Sequence, residues 1–362
     1  MLIAFNKNKK LVQAQDAHRK ETFFCCACME LVTLKAGRHK VAHFAHQKGS
    51  ECEKLGEGET QEHLLGKQQL FHFFKIHNPR LEHYFANIKQ RPDLLLDNNQ
   101  IIEFQCSPIS SRRLKERLTG YQKISHISNW ILGKPYLKQK HSFKKLIQFM
   151  RYQVNLGFYI MYWDVDQSKL LIQHHIKSYL GKLIYEWHTI DNLDDLTMFI
   201  NNPINVCNQR NHLIADLKHH TISIQKQLSL GSSSLIRIQN LCYQNGYNFG
   251  GYPLELDYPY YEPPLWGHQL NYIKIKLLLY LKLNLTMSKK SFLEMFDLLT
   301  EFPLMIDVKV INGFKMQLLS SWVKLGIIMI DGNLVKLNQM PNWFESYDQK
   351  LAAIPNFVKK KN

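Results

Sequence analysis

The stretch Arg91-Pro92-Asp93-Leu94-Leu95-Leu96-Asp97-Asn98-Asn99-Gln100-Ile101-Ile102-Glu103-Phe104-Gln105 decides how this chain reads. Two apolar runs flank a polar turn at residues 97–100, a pattern that predicts a buried β-hairpin with an Asn-rich loop. Each run carries one carboxylate, Asp93 early in the first and Glu103 late in the second. In an antiparallel pair those two ends lie side by side, so the acids are expected to converge on one point. An isolated buried carboxylate is costly, whereas two that face a cation and its waters are stable. The layout is that of a magnesium site and points towards phosphodiester chemistry.

On the N-terminal side of the hairpin, Thr60 is placed to cap a helix that begins Gln61-Glu62-His63 and runs to about Ile76. Leu64, Leu70, Phe71 and Phe74 fall largely on one side of it. A strand is expected over residues 81–88, before the two motif strands. On the C-terminal side, Ser107-Pro108 breaks the chain and Ser110 or Ser111 caps a second helix through Lys123. Asn129-Trp130-Ile131-Leu132-Gly133 then reads as a short buried strand.

The second helix lies in the most basic part of the chain. Between Ser107 and Met150 there are ten Lys or Arg against a single acid, Glu116, so this segment carries +9 of a net +16. An anionic polymer is the economical partner for such a charge, although the same pattern also arises on a plain solvated face. Arg112, Arg113 and Arg117 occupy one side of the helix, and Tyr121 continues it four residues on. A cationic stripe that ends in an aromatic suits backbone contacts beside a stacked base.

Residues 1–55 form a small Cys/His module. Cys25 and Cys28 have the spacing of a zinc knuckle, and two of His43, His46 and Cys52 are candidates to complete a tetrahedral Zn²⁺ set. A segment with so few large aliphatics benefits from a metal staple. The same residues also admit free thiols and packed, hydrogen-bonded histidines.

Cys25-Cys26-Ala27-Cys28, His43-Phe44-Ala45-His46, Glu62-His63-Leu64, Arg91-Pro92-Asp93 and Ile102-Glu103-Phe104-Gln105, in that order, resemble the competence protein CoiA-like family. Pro92-Asp93 followed by Glu103-Phe104-Gln105 is similar to the core motif of the wider PD-(D/E)xK nuclease superfamily, with Gln in the place usually held by Lys. The resemblance covers about residues 20–135. It implies an α/β (α+β) restriction-endonuclease-like core with the order αβββαβ over residues 56–155. Asp93 and Glu103 would then ligate Mg²⁺ or Mn²⁺, with Glu62 as a helix-borne acid near the metal and His63 a possible phosphate contact. Two positions depart from pattern. Cys26 stands where the family usually has Pro, which unsettles the zinc ligands. Gln105 agrees with the CoiA-like motif but cannot neutralise charge, so the site is slow, borrows Lys67 or a basic-helix arginine, or has become a binding site.

The rest of the chain adds limits. Its 362 residues suffice for two or three domains, and 45% hydrophobic with 21% charged residues is ordinary for a globular protein. Seven cysteines, an odd number with three crowded into residues 25–28, argue for a reducing compartment. The first ten residues hold three lysines and two asparagines and so lack a signal-like apolar run. The most apolar stretch, residues 273–285, is short for a membrane span and interrupted by Lys274, Lys276 and Lys282. A cytoplasmic location is expected.

Residues 156–362 read as mainly helical. A hairpin is expected over 157–164 and 169–173, helices over 205–228, 268–285 and 316–324, and a tight hairpin around Asp331-Gly332. The helix before that last hairpin gives a winged-helix-like pattern. Two functions lead, with a zinc-module RNA-binding protein as a third because single-stranded RNA and DNA present similar backbones. One is a metal-dependent nuclease-fold protein that acts on single-stranded or branched DNA and promotes its recombination during natural transformation. The other is a catalytically degenerate DNA-binding accessory that recruits recombination proteins.

Overall fold

The computed structural model describes residues 1–38, 40–47, 50, 59–138, 143–202, 212–297 and 305–361. It is a mixed α/β protein that divides into two compact units. The first comprises Met1–Phe149, Ile160–Gln173 and Trp187–Asn202; the second comprises Met150–Tyr159, His174–Glu186 and Pro203–Asn362. Residues 1–55 therefore share a unit with the hairpin.

Five short strands open the first unit: β1 (Ile3–Asn6), β2 (Leu11–Gln13), β3 (Phe23–Phe24), β4 (Leu31–Gly37) and β5 (Lys40–His46). They form one sheet in the order β2-β1-β3-β4-β5, antiparallel in the pairings β1·β2, β1·β3, β3·β4 and β4·β5. Its core is small, with Met1, Ala4, Ala14, Phe23, Cys25, Val32 and Phe44 buried together.

The next elements are α1 (Gln61–Phe73), β6 (Arg80–Leu81), β7 (Leu94–Leu95), β8 (Gln100–Gln105), α2 (Ser111–Lys123) and β9 (Ile127–Leu132), so the order αβββαβ is present. Both expected caps form, since the Thr60 hydroxyl accepts from the His63 N–H and the Ser110 hydroxyl from the Arg113 N–H, each at 3.2 Å. Strand β8 explains its own sequence. It pairs antiparallel with β7 and parallel with β9, and five of its six residues are buried, which requires the continuous Ile-Ile-Glu-Phe-Gln run. Parallel neighbours need a crossover, and α2 supplies it, burying Leu114, Leu118 and Tyr121 on one face.

Two expectations are corrected here. The strand over 81–88 shrinks to β6, and the chain then runs irregularly through a single Phe85–Gln90 bridge. Only the Leu94-Leu95 part of the first motif run pairs as β7, with Asn99 turning at φ 58°. Polar His83, Tyr84 and Asn87 interrupt the apolar period in the first case, so nothing holds an extended pairing.

Short helices α3 (Lys134–Lys138) and α4 (Phe143–Leu146) and strand β10 (Arg151–Gln153) precede β11 (Gly157–Asp164), β12 (Lys169–Tyr179), β13 (Lys182–Ile190) and α5 (Leu193–Asn201). Within the first unit β11 pairs parallel with β9 and antiparallel with β12, as expected of the 157–173 hairpin.

The second unit is mainly helical: α6 (Leu213–Ser229), α7 (Ser233–Gln244), α8 (His268–Asn284), α9 (Lys289–Glu294), α10 (Val308–Lys324) and α11 (Tyr347–Lys361). Tyr179, Leu180, Leu217, Leu254, Ile354 and Val358 cluster in its core. A buried Asp257 accepts from Tyr252 Oη at 2.6 Å and Lys350 Nζ at 3.2 Å. Burial pushes the Lys350 amine down to about 8. The last hairpin forms one residue later than the sequence pattern suggests: Asp331 pairs with Leu334, and Gly332-Asn333 make the turn, with Gly332 at φ 55°. The start of the helix expected over 205–228 lies outside the described residues. Among the described residues no helix is long and apolar enough to cross a membrane.

Helix α1 packs on β8 through Gly66, where an added Cβ would stand 2.1 Å from the Phe104 ring. Ala is normally better than Gly in a helix by about 1 kcal/mol. Here Phe104 is fully buried and cannot yield cheaply, and overpacking costs about 1–3 kcal/mol. Gly66→Ala should therefore lower the thermal midpoint, measured by circular dichroism, despite the gain in helix propensity.

Candidate active site

The β7/β8 register carries the site. Leu94 faces Ile102 and Leu95 faces Ile101, so one residue further along Asp93 stands opposite Glu103. Cross-strand partners project to the same face. Both acids line one cleft of about 390 Å³ in the first unit. Lys35, His43 and His46 of the N-terminal sheet, Glu59, Thr60 and His63 at the start of α1, and Gln105, Cys106 and Ser107 after Glu103 also line it. Lys89, Arg91, Arg113 and Arg117 add four cations.

Asp93 is held on several sides. Its Oδ2 accepts from the Phe104 N–H at 2.8 Å and lies 3.2 Å from His63 Nε2, while Oδ1 is 3.6 Å from Lys67 Nζ. Burial alone would raise this carboxyl, but His63, Lys67 and the Phe104 amide hold it well below the usual carboxylate range.

Lys67, fully buried, also donates to Glu59 and Glu82. Burial would depress its ammonium, yet Glu59, Glu82 and Asp93 together keep it above its ordinary value. Burial likewise would raise Glu59 and Glu82, and Lys67 is the first cause holding both low. The Leu2 N–H donates to Glu82 at 3.0 Å, tying the N-terminal sheet to the same cluster.

Glu103 is held differently. The Arg117 guanidinium and the Tyr121 hydroxyl both donate to its Oε1. Arg117 also donates to Tyr121 Oη at 2.9 Å and to the Arg91 carbonyl at 3.1 Å. Burial lifts the Glu103 carboxyl against the Arg117 charge, and Asp93 adds to the rise. The two motif acids thus sit in one cleft with their proton affinities pushed in opposite directions.

Several residues expected at the site are placed elsewhere. Glu62 does not line the cleft: its Oε1 accepts from the Lys134 N–H at 2.7 Å, at the start of α3. The reason is helical geometry. His63 and Lys67, one turn apart on α1, both approach Asp93, while Glu62 is turned about 100° away from His63. The expected basic stripe also divides. Arg112 is exposed, Arg113 reaches the cleft, and Arg117 and Tyr121 turn inward to Glu103. Tyr121 is 0% exposed and offers no ring for a base to stack on. Gln105 donates from Nε2 to the Ser107 carbonyl at 2.7 Å.

Glu59 and Glu82 were not legible as site residues. The His63/Lys67 spacing of four was a usable signal for Glu59; Glu82, at φ 49° in irregular chain, left none.

Among the described residues two groups bring three potential metal ligands within 4.8 Å of one another: Cys25, Cys28 and His46, and Glu59, His63 and Asp93. The second offers two carboxylates and an imidazole, a donor set compatible with Mn²⁺ or Mg²⁺. In the first, His43 is absent, its Nδ1 lying 2.8 Å from the Val41 carbonyl. Cys52 lies outside the described residues.

Comparison with known proteins agrees with the order of these motifs. Residues 5–54 match the family described as competence protein CoiA, N-terminal domain, and residues 59–200 match competence protein CoiA, nuclease-like domain. The chain is also similar to competence protein CoiA of Bacillus subtilis (strain 168), 32% identical over 187 residues, which is 49% of this chain and 48% of that protein. It thus spans about half the length of this curated relative. No solved structure matches.

Lys67 is the only cation bonded to both Glu59 and Glu82 in the described cluster. Glu59 keeps the Met1 ammonium and Asp93 keeps His63, but Lys67→Ala strips the buried Glu82 carboxylate of its ion pair and should cost about 3–5 kcal/mol in urea unfolding. Acid should act in the same direction. Carboxyls held below their unfolded values contribute stability that is full above about pH 4 and is lost as the pH falls through the folded values. Glu59, Glu82 and Asp93 are of this kind. Glu103, held above its ordinary value, has the opposite sign and favours folding as it takes up its proton. Three groups against one predict a net loss of stability below about pH 4, followed by far-ultraviolet circular dichroism.

Proposed function

Because the chain belongs to the competence protein CoiA family, we propose that its cleft binds DNA and hydrolyses phosphodiester bonds, promoting recombination of incoming single-stranded DNA during natural transformation. The observation that carries this reading is the placing of Asp93 opposite Glu103 in a cleft whose wall also presents Lys35, Lys89, Arg91, Arg113 and Arg117. Acids at the centre suit a divalent cation, and cations around them suit the phosphates on either side. The αβββαβ order supports assignment of the core to the restriction-endonuclease-like class.

Asp93, with Glu59 and His63 beside it, would hold Mg²⁺ or Mn²⁺, and Glu103 faces the same space. When bound, the metal supplies an activated water and polarises the scissile phosphate. The chain's own groups do the rest. Lys89 and Arg113 bind flanking phosphates, the Phe104 amide fixes Asp93, and Arg117 with Tyr121 fixes Glu103.

A second reading, a DNA-binding accessory that recruits recombination proteins, is favoured by two specific contacts. Glu103 is engaged by Arg117 and Tyr121, and Gln105 places a neutral amide against Ser107. One experiment separates the two. Purified protein is incubated with labelled single-stranded, double-stranded and branched DNA in Mg²⁺, Mn²⁺ or EDTA. Metal-dependent cleavage that vanishes in Asp93→Ala supports the nuclease; metal-independent binding without cleavage supports the accessory.

Binding has its own signature. Asp93→Ala should retain or tighten affinity, because a carboxylate that repels phosphate is gone. Combined Lys35→Ala, Lys89→Ala and Arg113→Ala should weaken binding about equally for all sequences. It should also flatten the log–log salt dependence by about 0.7 for each single-strand phosphate that the protein no longer neutralises. An unchanged slope in fluorescence anisotropy titrations would remove the cleft from the DNA path.

A further inference from the structure

We propose that Cys25, Cys28 and His46 bind a zinc ion that staples the β3–β4 turn to the end of β5, a structural centre separate from the carboxylate cleft chemistry. The ligand atoms lie within 4.8 Å of one another, and Cys28 Sγ is 3.3 Å from His46 Nε2. Tetrahedral zinc, with Zn–S near 2.3 Å and Zn–N near 2.0–2.1 Å, sets its ligands about 3.5–3.8 Å apart. The three atoms need move only slightly to close on one ion.

The backbone is shaped for the same purpose. The Ala27 N–H points at Cys25 Sγ at 3.4 Å, a donor that favours a thiolate sulfur. Cys25 and Met29 close the loop through the Met29 N–H to Cys25 carbonyl bond at 3.0 Å and the Cys25 N–H to Glu30 carbonyl bond at 2.8 Å, with Met29 at φ 62°. His46 arrives from the paired strand, its backbone in register with Val32. Cys26, between the two ligands, takes no part and faces a different groove beside Ile3 and Phe71.

Energetics give the ion a task. The N-terminal sheet has two buried aromatics, one buried β-branched residue and otherwise small or sulfur-containing side chains at its centre. A core of that size is marginal without a staple. The staple also bears on the cleft, since β5 contributes His43 to His46 to the cleft wall. His43 is left out of the metal set and stays available there.

The test uses the full chain purified without chelator and with zinc in the growth medium. Elemental analysis should find about one zinc per chain. Cys28→Ser and His46→Ala should each reduce this to near zero, whereas Cys26→Ser and His43→Ala should keep it. Should Cys28→Ser fail to fold, the wild-type protein still decides. Cys25 and Cys28 should resist alkylation until zinc is removed with a strong chelator, and its removal should lower the thermal midpoint. Cobalt substitution should give the visible spectrum of tetrahedral thiolate ligation. Wild-type protein free of zinc, a Cys25–Cys28 disulfide in its mass spectrum, or equal zinc loss in Cys26→Ser would overturn the proposal. None of these readouts requires DNA cleavage, so the outcome is independent of the nuclease reading.

Discussion

The first unit depends on a single buried cation. Lys67 lies in α1, shielded from solvent and with three carboxylates around it, from Glu59, Glu82 and Asp93. Burying an ammonium costs several kcal/mol after relaxation, and so does burying each acid. None of the four charges is tolerable alone, so the segments that carry them must arrive together. Glu59 fixes the approach to α1, Glu82 fixes the irregular chain after β6, and Asp93 fixes the entry to the motif hairpin. Glu82 passes the constraint on to the N-terminal sheet through Leu2.

A second constraint keeps the two motif acids distinct. Asp93 receives an amide N–H, an imidazole and a share of Lys67, and its charged form is stabilised. Glu103 has Arg117 and Tyr121, but deep burial and the Asp93 charge outweigh them. Two carboxyls opposite each other on paired strands cannot both lose their protons cheaply, and the protein assigns the easier loss to Asp93. Pairs separated in this manner are a common feature of acid–base sites.

Placing Arg117 and Tyr121 beneath Glu103 alters the reading of the basic segment. A helix with alternating Arg and Lys looks uniform in one dimension, yet its faces have unlike tasks. Arg112 remains in solvent beside Glu116, Arg113 reaches the cleft, and Arg117 is consumed internally. A positive stretch of +9 therefore does not present nine charges to a partner. The cations that the cleft offers to a partner come instead from three separate places, Lys35 of β4, Lys89 with Arg91, and Arg113 of α2.

What the sequence determined by itself was local. Apolar runs around Asp97–Gln100 specified a hairpin because a turn with Asn and a period of buried residues leave few alternatives, and Thr60 and Ser110 marked helix starts because a hydroxyl there satisfies an amide N–H. The opposition of Asp93 and Glu103 followed from that hairpin alone. Tertiary structure decided which side chains reach the site. Glu62 and His63 are neighbours in sequence, yet one caps α3 and the other meets Asp93, because 100° of helix rotation separates them and packing on Phe104 sets the angle. Glu59 and Glu82 acquired their role only when Lys67 lost its solvent. The cost of an unpaired buried charge is set by the whole fold, and no local pattern records it.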